Sequence, residues 1–182
     1  MVLGPGADSG TFDYFTEAVN GKSKSSRGDF TASEDDNVLV QGVTQDVNAI
    51  GYFGYAYYAE NQSKLKGLPI VNPKTNVAVE PSEESVIKAT YQPLSRPIFV
   101  YINPKALDKP EVKEFVEFYM KNGAKLTKEV KYVPLPAKAY QLAGEHLTKK
   151  KVGTVFGGEE WRFGAGVLAA ERAVQEEIGR AH

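Results

Sequence analysis

The segment Gly4-Pro5-Gly6-Ala7-Asp8-Ser9-Gly10-Thr11 carries the most informative chemistry in the chain. It sets small residues and two hydroxyls directly before Phe12, Phe15 and Val19, whose spacing predicts a helix from about Thr11 to Val19, capped by Asp8 or Ser9. The first backbone N–H groups of a helix have no partners within it and lie at the positive end of its dipole. Small residues let an anion approach those groups, and the hydroxyls of Ser9 and Thr11 add donors, which makes an oxyanion site. The same residues also make an ordinary capped helix start, and on this chemistry alone the two readings stand level. A nucleotide P-loop is excluded, because Gly10 is followed by Thr11 and Phe12 where that motif needs Lys-Ser/Thr.

Other reactive residue types form no comparable pattern. Glu34, Asp35 and Asp36 fit no EF-hand spacing and read as an acidic first helical turn, with Asp36 or Ser33 at the rim of a ligand at most. His146 and His182 supply no metal set, and there is no cysteine, so disulfides, thiol catalysis and thiolate metal sites are excluded. Tyr52, Phe53, Tyr55, Tyr57 and Tyr58 resemble a base-stacking platform only until the missing basic groove is considered; they read as core. The run Lys149-Lys150-Lys151 reads as a solvated helix end. No cofactor and no metal are expected, and no nucleophile is paired with a base by motif.

Elements that could position the Gly4–Thr11 segment follow from periodicity and punctuation. Val2-Leu3 reads as a strand end and Gly4-Pro5-Gly6 as a turn. Asn20 to Asp29 reads as a mobile polar loop, Glu34 to Val43 as a helix capped by Ser33, Ala49 to Phe53 as a short buried strand, and Tyr55 to Gln62 as a helix. Leu68 to Val71 is a strand edge, Asn72 to Pro81 a polar hairpin or loop, and Glu83 to Ala89 a helix capped by Ser82. Ile98 to Ile102, five β-favouring residues between Pro97 and Asn103-Pro104, is the best strand. A helix begins at Pro110 and is stopped by Asn122-Gly123, with further helices over Lys125 to Lys131 and Pro136 to Leu147. Beyond Gly157-Gly158, Val167, Ala170, Val174 and Ile178 mark a terminal helix. Alternating helices and strands argue for a layered α/β domain.

Composition agrees. The chain has 182 residues, 42% of them hydrophobic, 11% aromatic and 25% charged, which suits a folded globular domain. A formal net charge of -1 argues against a nucleic-acid or anionic-membrane binder, though not against a small-anion binder, for which local donors decide. No apolar run approaches the roughly 20 residues that span a bilayer, and Met1 to Gly4 opens no signal peptide. The abrupt opening on a strand scrap and a turn reads as a cut inside a larger protein.

Five segments, in order, resemble bacterial phosphate-binding proteins, the solute-capturing subunits of ATP-driven phosphate importers. They are Asp8-Ser9-Gly10-Thr11-Phe12-Asp13-Tyr14-Phe15, Thr31 to Asn37, Ala49 to Tyr58, Pro93-Leu94-Ser95-Arg96-Pro97, and Val133-Pro134-Leu135-Pro136. The resemblance runs from about Val2 to Gly158. It implies the second lobe of a two-lobed periplasmic-binding-protein fold: a central mixed sheet flanked by helices over residues 1–158, followed by a C-terminal helical extension, 159–182. It also implies an extracytoplasmic, non-catalytic protein whose Ser9, Gly10 and Thr11 bind inorganic phosphate. Asp8 adjoins them. Family members carry an arginine where Pro5 stands here, so Arg27, and after it Arg96, are the candidates to supply the guanidinium. The first lobe and the importer subunits are the implied partners. The alternative is a truncated lobe that serves only as a structural or oligomerising module.

Overall fold

The computed structural model describes residues 1–130 and 132–152. The chain divides into two compact units, Met1–Ser85 and Val86 onward. The expected boundary at 158 and the terminal helix through Val167, Ala170, Val174 and Ile178 lie outside the described residues.

The first unit is built on β1 (Val2–Gly4), with β2 (Thr31–Ala32) on one side and β3 (Ile50–Gly51) on the other, all parallel. The ladder is sealed by Ile50 N–H to Met1 O at 2.9 Å, Tyr52 N–H to Leu3 O at 3.2 Å and Ser33 N–H to Gly4 O at 3.2 Å. Parallel neighbours need crossovers, and these are α1 (Gly10–Asn20) between β1 and β2, and α2 (Asp36–Gln45) between β2 and β3. Successive residues of a strand face opposite sides of the sheet. Leu3, 2% exposed, is packed onto Gly42 of α2, while the space beside Gly4 is filled by Tyr52, which stacks on Phe15 of α1. The two helices therefore cover opposite faces, the doubly wound arrangement that right-handed crossovers produce when the strand order turns back.

The core of this unit is Leu3, Phe12, Leu39 and Val40. Phe12 stacks on Phe30 with ring centroids 5.9 Å apart. The α1–β2 connection, read from sequence as mobile, is anchored along α1: buried Thr16 accepts the Lys24 N–H at 2.8 Å and donates to Phe12 O at 2.8 Å. After β3 come α3 (Tyr55–Glu60) and the antiparallel pair β4 (Ile70–Val71) and β5 (Ala78–Val79). Asn72 turns that hairpin, its side chain accepting from Lys74 N–H at 2.9 Å. Parallel and antiparallel pairing thus both occur, in separate sheets. α4 (Glu83–Ile87) leads out of the unit; Ser82 and Ser85 exchange hydroxyl-to-amide bonds of 3.0 Å at its start.

The second unit holds a 3-10 turn, Pro104–Asp108, and helices α5 (Pro110–Glu129) and α6 (Ala137–Thr148). Four sequence expectations need correction. Asn122-Gly123 does not stop α5, which runs on through the helix expected from Lys125; Gly123 is buried, and a Cβ there would lie 3.1 Å from the Tyr140 ring, so this glycine serves close packing and not termination. Ile98–Ile102 forms no strand pairing among the described residues, because β-propensity needs a neighbour strand to act. α2 begins at Asp36, two residues late, because the Ser33 hydroxyl accepts from Asp35 N–H and leaves Asp35 to cap the helix by accepting from Asn37 N–H at 2.9 Å. The buried strand expected over Ala49–Phe53 contracts to Ile50–Gly51, with Ile50 half out of the fold. Lys150 pairs with Asp108 at 2.8 Å and Lys149 with Glu145 at 3.8 Å, all exposed, as a solvated helix end requires. No described helix is long and apolar enough to cross a membrane.

Leu39 is fully buried between α2 and its surroundings. Leu39→Ala is expected to lower unfolding free energy by about 3 kcal/mol, lost packing plus a residual cavity. Urea denaturation followed by circular dichroism measures it; a loss under about 1 kcal/mol would show that Leu39 is not central to this core.

Candidate functional site

In a parallel α/β sheet every strand-to-helix turn emerges at one edge, and ligands sit there where neighbouring connections depart in opposite directions. The order β2-β1-β3 places that point between β1 and β3. The turn leaving β1 there is Gly4–Ser9, the segment singled out from sequence.

Its geometry follows from residue size. Gly4, Pro5 and Gly6 are buried, Pro5 among the most completely buried residues in the chain, while Asp8 and Gly10 are exposed and Ser9 and Thr11 half-buried. A Cβ on Gly4 would meet the Tyr52 ring at 2.5 Å, and one on Gly6 would collide with the Glu34 carboxylate. Ser9 N–H closes the turn onto Gly6 O at 3.0 Å. Ser9 is extended (φ -84°, ψ 129°) and caps α1, its hydroxyl accepting from Thr11 N–H at 3.2 Å. Of the two caps expected, Ser9 is the one used. Ser9, Gly10 and Thr11 thus lie together at the exposed positive end of an 11-residue helix, with Asp8 beside them.

The remaining candidates are placed as follows. Arg27 is exposed in the α1–β2 connection, its guanidinium held bidentate by Asp29. That hydrogen-bonded pair raises the Arg27 pKa and lowers that of Asp29. Its bonds go to Asp29 and not to the start of α1. Arg96 is exposed in the second unit. Pro5, where the resemblance expects an arginine, is an apolar plug beneath the turn. Lys24, by contrast, reaches the first turn of α1, with its ammonium 3.8 Å from Asp13. Sequence reasoning did not single it out; the signal available was a lysine in a loop long enough to fold back.

Two further groups shape this edge. Glu34 lies against Gly6, and half-buried Asp36 accepts the Gly54 N–H, linking the turn after β2 to that after β3. Burial pushes the Asp36 carboxyl above its ordinary 3.8, aided by the charges of Asp35 and Glu34 and opposed by the Gly54 bond. The three carboxylates make no metal cluster, and none is found among the described residues. Tyr52 stacks on Phe15 at 3.9 Å and 9°, and burial raises its hydroxyl pKa; the aromatic run expected as core is half-buried throughout.

Known proteins are similar to much of this chain. The PBP superfamily domain matches residues 1–122. Protein SphX of Synechococcus elongatus is 53% identical over 158 residues, covering 87% of this chain and 46% of that protein. The phosphate-binding protein PstS of Staphylococcus aureus (strain USA300) is 36% identical over 142 residues, 76% of this chain and 41% of that protein. A crystal structure described as that of a possible phosphate binding protein from Planctomyces limnophilus DSM 3776 superposes with a TM-score of 0.73 at 46% identity, over 84% of this chain and 54% of that one. The chain spans less than half the length of these two curated relatives.

Asp36 generates a pH test. Its folded pKa lies above the unfolded value, so its contribution favours folding at low pH and is lost as pH rises through the folded pKa. Asp36→Asn keeps an acceptor for Gly54 N–H and removes the buried charge. Its stability relative to wild type should therefore rise as pH climbs from about 3 to about 7 in urea melts; a difference that stays flat with pH would show that this burial does not govern the carboxyl.

Proposed function

The chain belongs to the PBP superfamily, and from that premise we propose that its first unit binds inorganic phosphate at the start of α1. The observation that carries this reading is positional: an exposed helix N-terminus flanked by two hydroxyls stands at the one edge of the sheet where neighbouring connections diverge. The relatives' names, phosphate-binding protein among them, point the same way.

Ser9 and Thr11 bind through hydroxyls and Gly10 through backbone N–H, with the helix dipole favouring negative charge. Binding requires Ser9 to redirect its hydroxyl from the Thr11 amide, or to accept there while donating to the anion, which one O–H permits. Asp8 borders the site. Arg27 contributes its guanidinium only on leaving Asp29, an exchange of one exposed charge pair for another that costs little. The protein acts without catalysis, as the capturing subunit of an extracytoplasmic phosphate importer, with a first lobe and membrane subunits as partners.

Calorimetric titration with phosphate, with sulfate as control, tests the reading. Ser9→Ala/Thr11→Ala should weaken phosphate binding at least about tenfold, the loss of two hydrogen bonds to a charged ligand. Asp29→Ala should strengthen it if Arg27 is a ligand, and Arg27→Ala should abolish that gain. A folded wild type that takes up no phosphate, or a double variant that binds as well as wild type, removes the site from α1.

A further inference from the structure

We propose that Asn20-Gly21 is a site of spontaneous covalent modification, at which the Asn20 amide converts to aspartate and isoaspartate and so unties the α1–β2 connection. The inference is independent of phosphate binding. Its chemistry is that of an asparagine followed by a glycine. The Gly21 backbone nitrogen attacks Asn20 Cγ, the Cγ–Nδ2 bond breaks, and ammonia leaves with the Gly21 amide proton, closing a succinimide ring. Water then opens the ring at either carbonyl, and a carboxylate stands where the amide was. Water is the only other reactant. The chain holds two such dipeptides, Asn20-Gly21 and Asn122-Gly123, and the fold separates them.

Ring closure requires the asparagine to leave helical ψ, which carries the next N–H out of the helix ladder. Asn20 is the last residue of α1, and Gly21 caps it in the left-handed region (φ 73°), with nothing within 4 Å of where a Cβ would stand. The bonds that must open are Gly21 N–H to Glu17 O, 2.9 Å, and Asn20 Nδ2 to Ser25 O, both at a helix end, where fraying costs little. Glycine then follows the rotation freely. Asn122 lies inside α5, its amide donating to Phe118 O at 2.9 Å, and Gly123 is buried against the Tyr140 ring. Closure there waits on local opening of α5.

Asn20 is also a tie. The α1–β2 connection is held to α1 by Asn20 Nδ2 on Ser25 O and by Lys24 N–H on the Thr16 hydroxyl. A carboxylate at position 20 has no donor for the Ser25 carbonyl, and it adds negative charge at the negative end of the α1 dipole. The modified chain keeps the Thr16 anchor and loses the tie at Ser25.

Ageing the chain in heavy-oxygen water at mildly alkaline pH, followed by peptide mapping with mass spectrometry, tests the site. Label should enter at Asn20 at least about tenfold faster than at Asn122 in the folded chain, and at comparable rates in urea, where the fold protects neither. Limited trypsin digestion tests the consequence. N20D should be cut after Lys24 several times faster than wild type, with N122D, the control for general loosening, cut there at the wild-type rate. Circular dichroism confirms that each variant is folded. Three outcomes would each overturn the inference: equal labelling of the two asparagines in the folded chain, a preference for Asn20 that persists in urea, or N20D cut no faster than wild type.

Discussion

The first unit depends on a three-residue strand paired on both sides. Val2–Gly4 has a parallel neighbour at each edge, and Leu3 is 2% exposed. Because both neighbours are parallel, each connection must climb over the sheet and return, and all three strand-to-helix turns emerge at one edge. The small residues leaving β1 are confined by that arrangement. Gly4, Pro5 and Gly6 are buried beneath the Tyr52 ring and the Glu34 carboxylate, and only from Ala7 does the backbone reach solvent. The N-terminal end of α1 is exposed because the turn beneath it is not.

The portions of this arrangement legible in sequence are those set by neighbours along the chain. A cap at Asp8 or Ser9, the start of α1, the turn at Gly4-Pro5-Gly6 and the α3 start at Tyr55 depend on local chemistry, and each was readable. What escaped depends on residues far apart. Gly123 has the local character of a stop, but it lies inside a helix, close against the Tyr140 ring. Ile98–Ile102 has the local character of a strand, but strand formation requires a neighbour. Ser33 and Asp35 are both good caps, and only the turn made by Ser33 decides between them. At the site itself, the type and order of Ser9, Gly10 and Thr11 were visible, whereas the capture of Arg27 by Asp29 and the reach of Lys24 to Asp13 were not, because both depend on how the polar connection folds back along α1.

Near-neutral overall charge conceals this local organisation. Exposed pairs such as Lys113 with Glu117 and Lys125 with Glu129 each contribute little to stability. At one edge of the sheet stand the N-terminus of α1, the acidic start of α2, and the Lys24 ammonium 3.8 Å from Asp13.

The contact between Gly4 and Tyr52 bears on how this sequence can diverge. The ring fills the volume a Cβ would need, and it cannot swing aside because Phe15 is stacked on its face. Positions 4, 15 and 52 therefore vary as a group. A side chain enters at position 4 only in a lineage that has already lost the ring at 52, and that loss leaves Phe15 without its stacking partner. The order of substitutions is constrained: a smaller residue at 52 comes first, repacking at 15 next, and departure from glycine at 4 last. Among descendants of this sequence, a glycine at the end of the first strand should be inherited together with two aromatic residues lying 11 and 48 positions further along the chain.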